Sequence, residues 1–123
     1  MPDAAVVVPC RDGAADLRRL LPALLTQHLP PDWRLRVTVV DDGSTDDSAS
    51  VAAQFDRDVV SVLRNPSPQG RSLARNRGAD AASGALIVFV DADCLPVGKG
   101  WLASHIEDVS PEEMARRRAA RGG

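Results

Sequence analysis

Three groups of acidic side chains in this sequence each follow directly on a short apolar run. Asp12 comes after Val6-Val7-Val8-Pro9, Asp41-Asp42 after Leu35–Val40, and Asp91 and Asp93 after Ala85–Val90. Carboxylates placed this way can hold a hard divalent cation such as Mg²⁺ or Mn²⁺, which takes oxygen ligands from one or two carboxylates plus substrate phosphates. They can also accept hydrogen bonds from a ligand. Asp91-Ala92-Asp93 is the sharpest of the three, because two aspartates with one spacer can divide those tasks: one takes the metal, the other a ribose hydroxyl or a metal-bound water. Each group also has a plainer reading. Asp41-Asp42-Gly43-Ser44-Thr45-Asp46 has the composition of a turn and helix cap, and bare D-x-D pairs are common in loops. The weight lies in their coincidence after three strands.

Such residues meet only if the strands that carry them lie side by side. The β-branched run Ala4–Val8 predicts a buried strand ending at Pro9. Leu17, Leu20, Leu21, Leu24 and Leu25 then form one apolar stripe on a helix over Ala14–Gln27, with Pro22 expected to kink it. Leu35–Val40 is a second strand. Ser44 or Thr45 can cap a second helix reaching Phe55, with Asp46 and Asp47 in its first turn. Val59–Leu63 is a third strand, Asn65–Gly70 a loop, Arg71–Ala82 a third helix stopped by Ser83-Gly84, and Ala85–Val90 a fourth strand. Strands alternating with helices at this spacing predict βαβ units and a parallel sheet. In an open parallel sheet, ligands bind at the carboxyl ends of the strands, at the switch point. Asp12, Asp42, Asp91 and Asp93 are therefore expected around one cleft.

Composition bounds the rest. With 123 residues, 44% apolar and 26% charged, the chain has the size and balance of one folded domain. A net charge of −2 offers nucleic acid no attraction, and 3% aromatics without tyrosine exclude a base-stacking sheet. Cys10 and Cys94 lack metal-finger spacing and read as reduced cytosolic thiols. The longest apolar run falls far short of the about 20 residues that span a bilayer, so no transmembrane segment is expected. The predicted location is the cytoplasm, with peripheral membrane association left open. Residues 1–109 read as the domain and 110–123 as an arginine-rich helix or frayed tail. Ser110-Pro111-Glu112-Glu113 is a sound helix start, but Arg116, Arg117, Arg118 and Arg121 follow it without an apolar stripe.

Three blocks carry a resemblance: Val39-Val40-Asp41-Asp42-Gly43-Ser44-Thr45-Asp46, Gly70-Arg71-Ser72-Leu73-Ala74-Arg75-Asn76-Arg77-Gly78-Ala79, and Val88-Phe89-Val90-Asp91-Ala92-Asp93-Cys94. In this order and spacing they resemble the family 2 glycosyltransferases of the GT-A fold, from about Ala4 to Ile106. The resemblance implies a Rossmann-like open parallel sheet of order 3-2-1-4, ending before the acceptor-binding half. It also implies a nucleotide-diphosphate-sugar site. Pro9 and Arg11 would border the base, with Arg11 stacking its guanidinium where the family often has an aromatic ring. Asp12 would stand near the same wall. Asp42 would accept the imide N–H of uracil or thymine, favouring UDP- or dTDP-sugars. Arg71, at a helix N-terminus, would reach the nucleotide or a phosphate; Asp91 would bind the ribose and Asp93 the metal, Mg²⁺ or Mn²⁺. Arg75 and Arg77 divide evenly between a solvated helix face and a ligand role. The implied reaction is inverting sugar transfer to an acceptor hydroxyl, which a carboxylate base must deprotonate.

No residue of the chain stands out as that base. Glu107, Asp108, Glu112 and Glu113 lie at or past the end of the resemblance, and His105 reads as a packed or exposed side chain beside Trp101 and Leu102. A catalytically incomplete nucleotide-binding remnant or regulatory module is therefore the alternative. In the order 3-2-1-4 the fourth strand is an edge with central-strand composition, which invites self-association. A response-regulator receiver fits poorly, since it needs its acidic pair after the first strand and a lysine after a fifth. A haloacid-dehalogenase-type phosphatase needs its D-x-D near the start of the chain.

Overall fold

Alternation along the first two strands buries both faces of a sheet. In the computed structural model, which describes residues 2–82, 84 and 86–107, β1 (Asp3–Cys10) turns Ala4, Val6, Val8 and Cys10 to one face and Ala5 and Val7 to the other. β2 (Arg34–Asp42) adds Val37 and Val39 to the first face and Val40 to the second. With β3 (Val60–Asn65) and β4 (Leu86–Phe89) they form one parallel sheet of order β3-β2-β1-β4, as expected.

The helices fill the two outer layers. On the first face lie α1 (Ala14–Leu25), α2 (Ser48–Ala53) and α4 (Trp101–Glu107). The stripe of α1 is fully buried at Leu17, Leu20, Leu21 and Leu24, and Val51, Ala52, Leu102 and Ile106 join it in the larger core. Pro22 stands on the exposed side of α1, opposite the stripe, and the helix runs past it to Leu25. α3 (Arg71–Ala81) covers the second face, where Ala74 and Ala82 close a smaller core over Val7 and Val40.

Several boundaries differ from expectation, and β3 runs on to Asn65, where a loop is expected. β1 continues through Pro9. Val7 accepts from the Val90 N–H, so strand alternation turns the nitrogen of Pro9 to the same side, beyond Val7–Phe89 where the β4 ladder ends. The missing N–H therefore costs no rung. α2 starts at Ser48 and not after Ser44 or Thr45, and its N-cap residue, Asp47, makes no side-chain capping bond. β4 is short, and it is the edge strand expected, with Ile87 and Val88 half-buried and Phe89 exposed. Ser83, Ala85 and the whole 110–123 tail lie outside the described residues, as do Asp108, Glu112 and Glu113.

Gly78 sets how close α3 comes to the sheet. A Cβ there would stand 2.3 Å from Val7 Cγ1 and 3.0 Å from Val40 Cγ2. Both neighbours are rigid, fully buried valines. Alanine in place of glycine gains about 0.8–1.0 kcal/mol of helix preference, but forcing a methyl into a packed core costs about 1–3 kcal/mol. At 2.3 Å the overlap decides the sign. Gly78→Ala is expected to lower the thermal midpoint, and Gly78→Val to lower it further, by roughly 4 °C or more; circular dichroism melts check the order.

Candidate functional site

The turns that follow β1 and β2 are laced together by reciprocal hydrogen bonds. Three consecutive backbone N–H groups donate across: Asp12 to Ser44 Oγ at 2.8 Å, Gly13 to Ser48 Oγ at 3.0 Å and Ala14 to Asp46 Oδ2 at 3.1 Å. In return Asp12 Oδ1 accepts from Thr45 N at 2.7 Å, Thr45 Oγ1 at 3.1 Å and Asp46 N at 3.2 Å. Asp12 holds a left-handed backbone, φ 53°, which aspartate tolerates better than most residues. Asp46 also accepts from the Ser48 N–H and hydroxyl. These bonds explain the late start of α2: Ser44 and Thr45 serve the neighbouring turn, and Asp46 divides its carboxylate between the Ala14 N–H of α1 and the Ser48 N–H that opens α2.

Asp42 is the second organising group. It is 5% exposed. Its Oδ1 accepts from Asn65 Nδ2 and the Gln69 N–H, both at 2.8 Å, and its Oδ2 accepts from the Gly70 N–H at 2.9 Å. A carboxylate offers about four acceptor positions, so one remains, on Oδ2. Burial opposes the charge of Asp42, but these three donors and the nearby Arg11 outweigh it and hold its carboxyl below the ordinary aspartate value of 3.8. Gly43, at φ +73°, lets the loop come this near; a Cβ there would lie 2.5 Å from Pro68 N. Asp41 faces away, taking the Ser44 N–H at 3.1 Å and Arg64 Nε at 3.5 Å.

At the carboxyl edge of the sheet these loops surround a cleft of about 340 Å³. Pro9, Arg11, Asp42, Arg71, Asp91 and Asp93 all line it, contributed by β1 and its loop, the end of β2, the first turn of α3 and the segment after β4. Asp12 does not; its carboxylate is spent on the neighbouring turn. Arg71 Nη1 lies 3.8 Å from Asp91 Oδ2 across the cleft mouth. Asp91, Asp93 and Cys94 each bring a ligand atom within 4.8 Å of the others; the two carboxylates suit a hard divalent cation, while the thiol is a soft ligand that such a cation does not favour. Arg75 stacks on Phe89, 4.5 Å from the ring centroid, and Arg77 donates to Arg64 O at 2.6 Å and to Asn65 Oδ1. His105 packs edge-on against Trp101 at 4.9 Å. Asn65 and the Gln69-Gly70 backbone are members of the site that sequence reasoning missed. The signal for Asn65 is register, since β3 sets it directly across from Asp42.

A four-stranded parallel sheet with acidic residues gathered at its carboxyl edge defines a Rossmann-like class of α/β domain. The family model described as "Glycosyl transferase family 2" matches residues 5–114, and the chain belongs to that family. Glycosyltransferase AglE of Haloferax volcanii is 33% identical over 112 residues, 89% of this chain and 36% of that protein. The pre-mycofactocin glycosyltransferase of Mycobacterium tuberculosis is 38% identical over 105 residues, 83% of this chain and 20% of that protein. The chain thus spans about a third or less of these relatives' length. Among solved structures, the mannosyltransferase PcManGT from Pyrobaculum calidifontis in complex with GDP-Man and Mn²⁺ superposes with TM-score 0.78, at 26% identity, over 87% of this chain and 34% of that one. TarS from S. aureus in complex with UDP-GlcNAc gives TM-score 0.74 at 26% identity, over 85% of this chain and 30% of that one. The fold is the GT-A arrangement of these enzymes.

The turn-to-turn clamp makes stability acid-sensitive. Asp12 is held below 3.8 by the Thr45 N–H and hydroxyl, and Asp46 by the Ser48 hydroxyl. A carboxyl that ionises more readily in the folded chain adds stability above its unfolded value, and that stability is lost as pH falls through the folded value. Urea midpoints are therefore expected to hold steady above about pH 5 and to fall below about pH 4. Asp12→Asn is expected to be less stable at neutral pH and to show a flatter acid limb; an unchanged limb would remove Asp12 from the clamp.

Proposed function

We propose that this chain is the donor-binding part of a family 2 glycosyltransferase, gripping a nucleotide-diphosphate sugar in the cleft at the carboxyl edge of its sheet. The observation that supports this most is the convergence of Pro9, Arg11, Asp42, Arg71, Asp91 and Asp93, spread over more than eighty positions, on one cavity. Complexes of the superposed enzymes with GDP-Man and Mn²⁺ and with UDP-GlcNAc favour the same reading.

In this reading the exposed Arg11 lies over the base beside Pro9. The remaining acceptor position of Asp42 takes an imide N–H, as uracil and thymine offer, so UDP- or dTDP-sugars are favoured; guanine carries the same group. Asp91 accepts a ribose hydroxyl. Arg71, already drawn to Asp91, swings to the diphosphate, where its planar fork suits phosphate oxygens. Asp93, with the Asp91 carboxylate beside it, would hold Mg²⁺ or Mn²⁺. When bound, such a cation supplies Lewis-acid stabilisation of the charge that grows on the departing diphosphate.

The acceptor hydroxyl must lose its proton to a base on the opposite face of the sugar if transfer inverts. Each carboxylate of the cleft has another duty in this reading: Asp42 serves Asn65, its loop and the base, Asp16 pairs with Arg19, Asp91 takes the ribose and Asp93 the cation. We therefore assign the base and the acceptor surface to further chain, in keeping with a relative of which the match covers 36%, and take residues 1–109 as the donor domain. A nucleotide-binding module without transfer activity is the second reading, favoured by the same engagement of the carboxylates. Among the described residues no helix is long and apolar enough to cross a membrane. Two free cysteines suit a reducing cytoplasm, with or without peripheral membrane contact.

Calorimetric titration tests the reading. UDP, dTDP or GDP is expected to bind with Mn²⁺ and far more weakly with chelator. Asp93→Ala is expected to abolish the metal dependence. If no nucleoside diphosphate binds under either condition, the proposal fails; binding without any sugar transfer upon extension of the chain selects the second reading.

The outer edge of β4 generates a separate expectation. Among the described residues β4 pairs with β1 alone, and Phe89 on it is exposed, a template for pairing with a second copy. Light scattering after gel filtration is expected to show concentration-dependent self-association, reduced by Phe89→Lys. A monomer at every concentration would exclude it.

A further inference from the structure

Asn65 is an amide buried between two charged side chains, and its polarity is forced from both sides. Arg77, from the second turn of α3, can only donate; its Nη1 donates to Asn65 Oδ1 and, at 2.6 Å, to the carbonyl of Arg64. That leaves Nδ2, an obligate donor, turned to Asp42 Oδ1 at 2.8 Å. Oδ1 is then filled by Asn65 and the Gln69 N–H, and Oδ2, with the Gly70 N–H, keeps the one open acceptor position. Register makes the arrangement compact, because β3 sets Asn65 opposite Asp42 and Arg64 opposite Asp41.

We propose that Arg77 is a positioning residue for nucleotide-base recognition: through Asn65 it fixes the rotation of the Asp42 carboxylate and so the direction of its one unfilled acceptor position. This deepens the donor-site reading above and rests on it. Arg77 does not itself line the cleft. Its guanidinium reaches over the end of β3 from the solvent side, so it acts on the base only through the amide. The charge of Arg77 also strengthens the relay, since hydrogen bonds from an ionised donor are about twice as strong as neutral ones. Arg75, two residues away on the same helix, stacks on Phe89 and takes no part.

The consequence is a selectivity effect. Uracil, thymine and guanine each carry a ring N–H for Asp42; the corresponding ring nitrogen of cytosine carries none and would turn a lone pair to the carboxylate. With Mn²⁺ present, the ratio of affinities for the tightest of UDP, dTDP and GDP against CDP reports how well Asp42 is aimed. Pyrophosphate reports the metal and phosphate contacts alone. Arg77→Met, which keeps the aliphatic stem, is expected to lower that ratio by about tenfold, the size of one hydrogen bond, with pyrophosphate affinity unchanged. Arg77→Lys, which keeps the charge without the fork, is expected to retain part of the ratio. In Asp42→Asn the ratio is already lost, and adding Arg77→Met removes nothing more, the mark of two residues acting as one unit.

Equal losses for all nucleotides and pyrophosphate in Arg77→Met would reduce Arg77 to a structural role and overturn the proposal. So would an unchanged ratio. Should Arg77→Met fail to fold, Arg77→Lys carries the same test. If Asp42→Asn itself leaves the ratio intact, the assignment of Asp42 to the base fails first, and the relay falls with it.

Discussion

Two adjacent carboxylates, Asp41 and Asp42, end β2 at 1% and 5% exposure. Taking a charge out of water is expensive unless other groups replace the lost hydration. The local structure is arranged to supply that replacement. Asp41 draws the Ser44 N–H and Arg64; Asp42 draws Asn65 and the backbone of Gln69 and Gly70. Satisfying this pair fixes the turn after β2, anchors the side chains at the end of β3 and pulls in the loop that leads to α3. The cleft wall is thus a by-product of hydrating two ions with protein.

The first strand is tied to the same assembly from the other direction. Asp12 stands on a left-handed backbone and collects donors from Thr45 and Asp46, while its own turn gives three N–H groups back to Ser44, Ser48 and Asp46. Two turns more than thirty residues apart in sequence therefore set each other's shape. The helices start only after both turns are complete, so α2 gives up a turn that its composition favours. Gly78 supplies the complementary constraint on the opposite face, where the absence of a side chain lets α3 settle on Val7 and Val40 and present Arg71 at the cleft mouth.

Much of this was legible in the residues. Short apolar runs located four strands, a period of 3.6 located the buried stripe of α1, and the resemblance supplied the order 3-2-1-4. The switch-point rule then brought Asp42, Asp91 and Asp93 to one edge. What escaped had a common cause. The duty of Asp12, the start of α2 and the place of Asn65 all depend on side-chain-to-backbone bonds across sequence gaps of 23 to 35 residues. Ser44 and Thr45 are good caps by type, and nothing local says that another turn will claim them. Asn65 lay inside a segment read only as a loop, and its value appears once the β2–β3 register is known.

The cleft and the sheet edge beside it differ in how completely their groups are satisfied. Every group that shapes the cleft lies between Pro9 and Asp93, and its buried charges are answered within that span. The sheet itself is less complete. Among the described residues β4 has one partner, its Ile87 and Val88 are half covered, and the guanidinium of Arg75 lies over the exposed Phe89. Cation–π contact at an exposed ring is worth only about 0.5–1 kcal/mol, too little to replace a neighbouring strand. The proposed donor site is thus locally self-sufficient while the strand beside it is not. A folding unit built this way can bind its ligand with geometry already set, and still depend on another surface to finish its core.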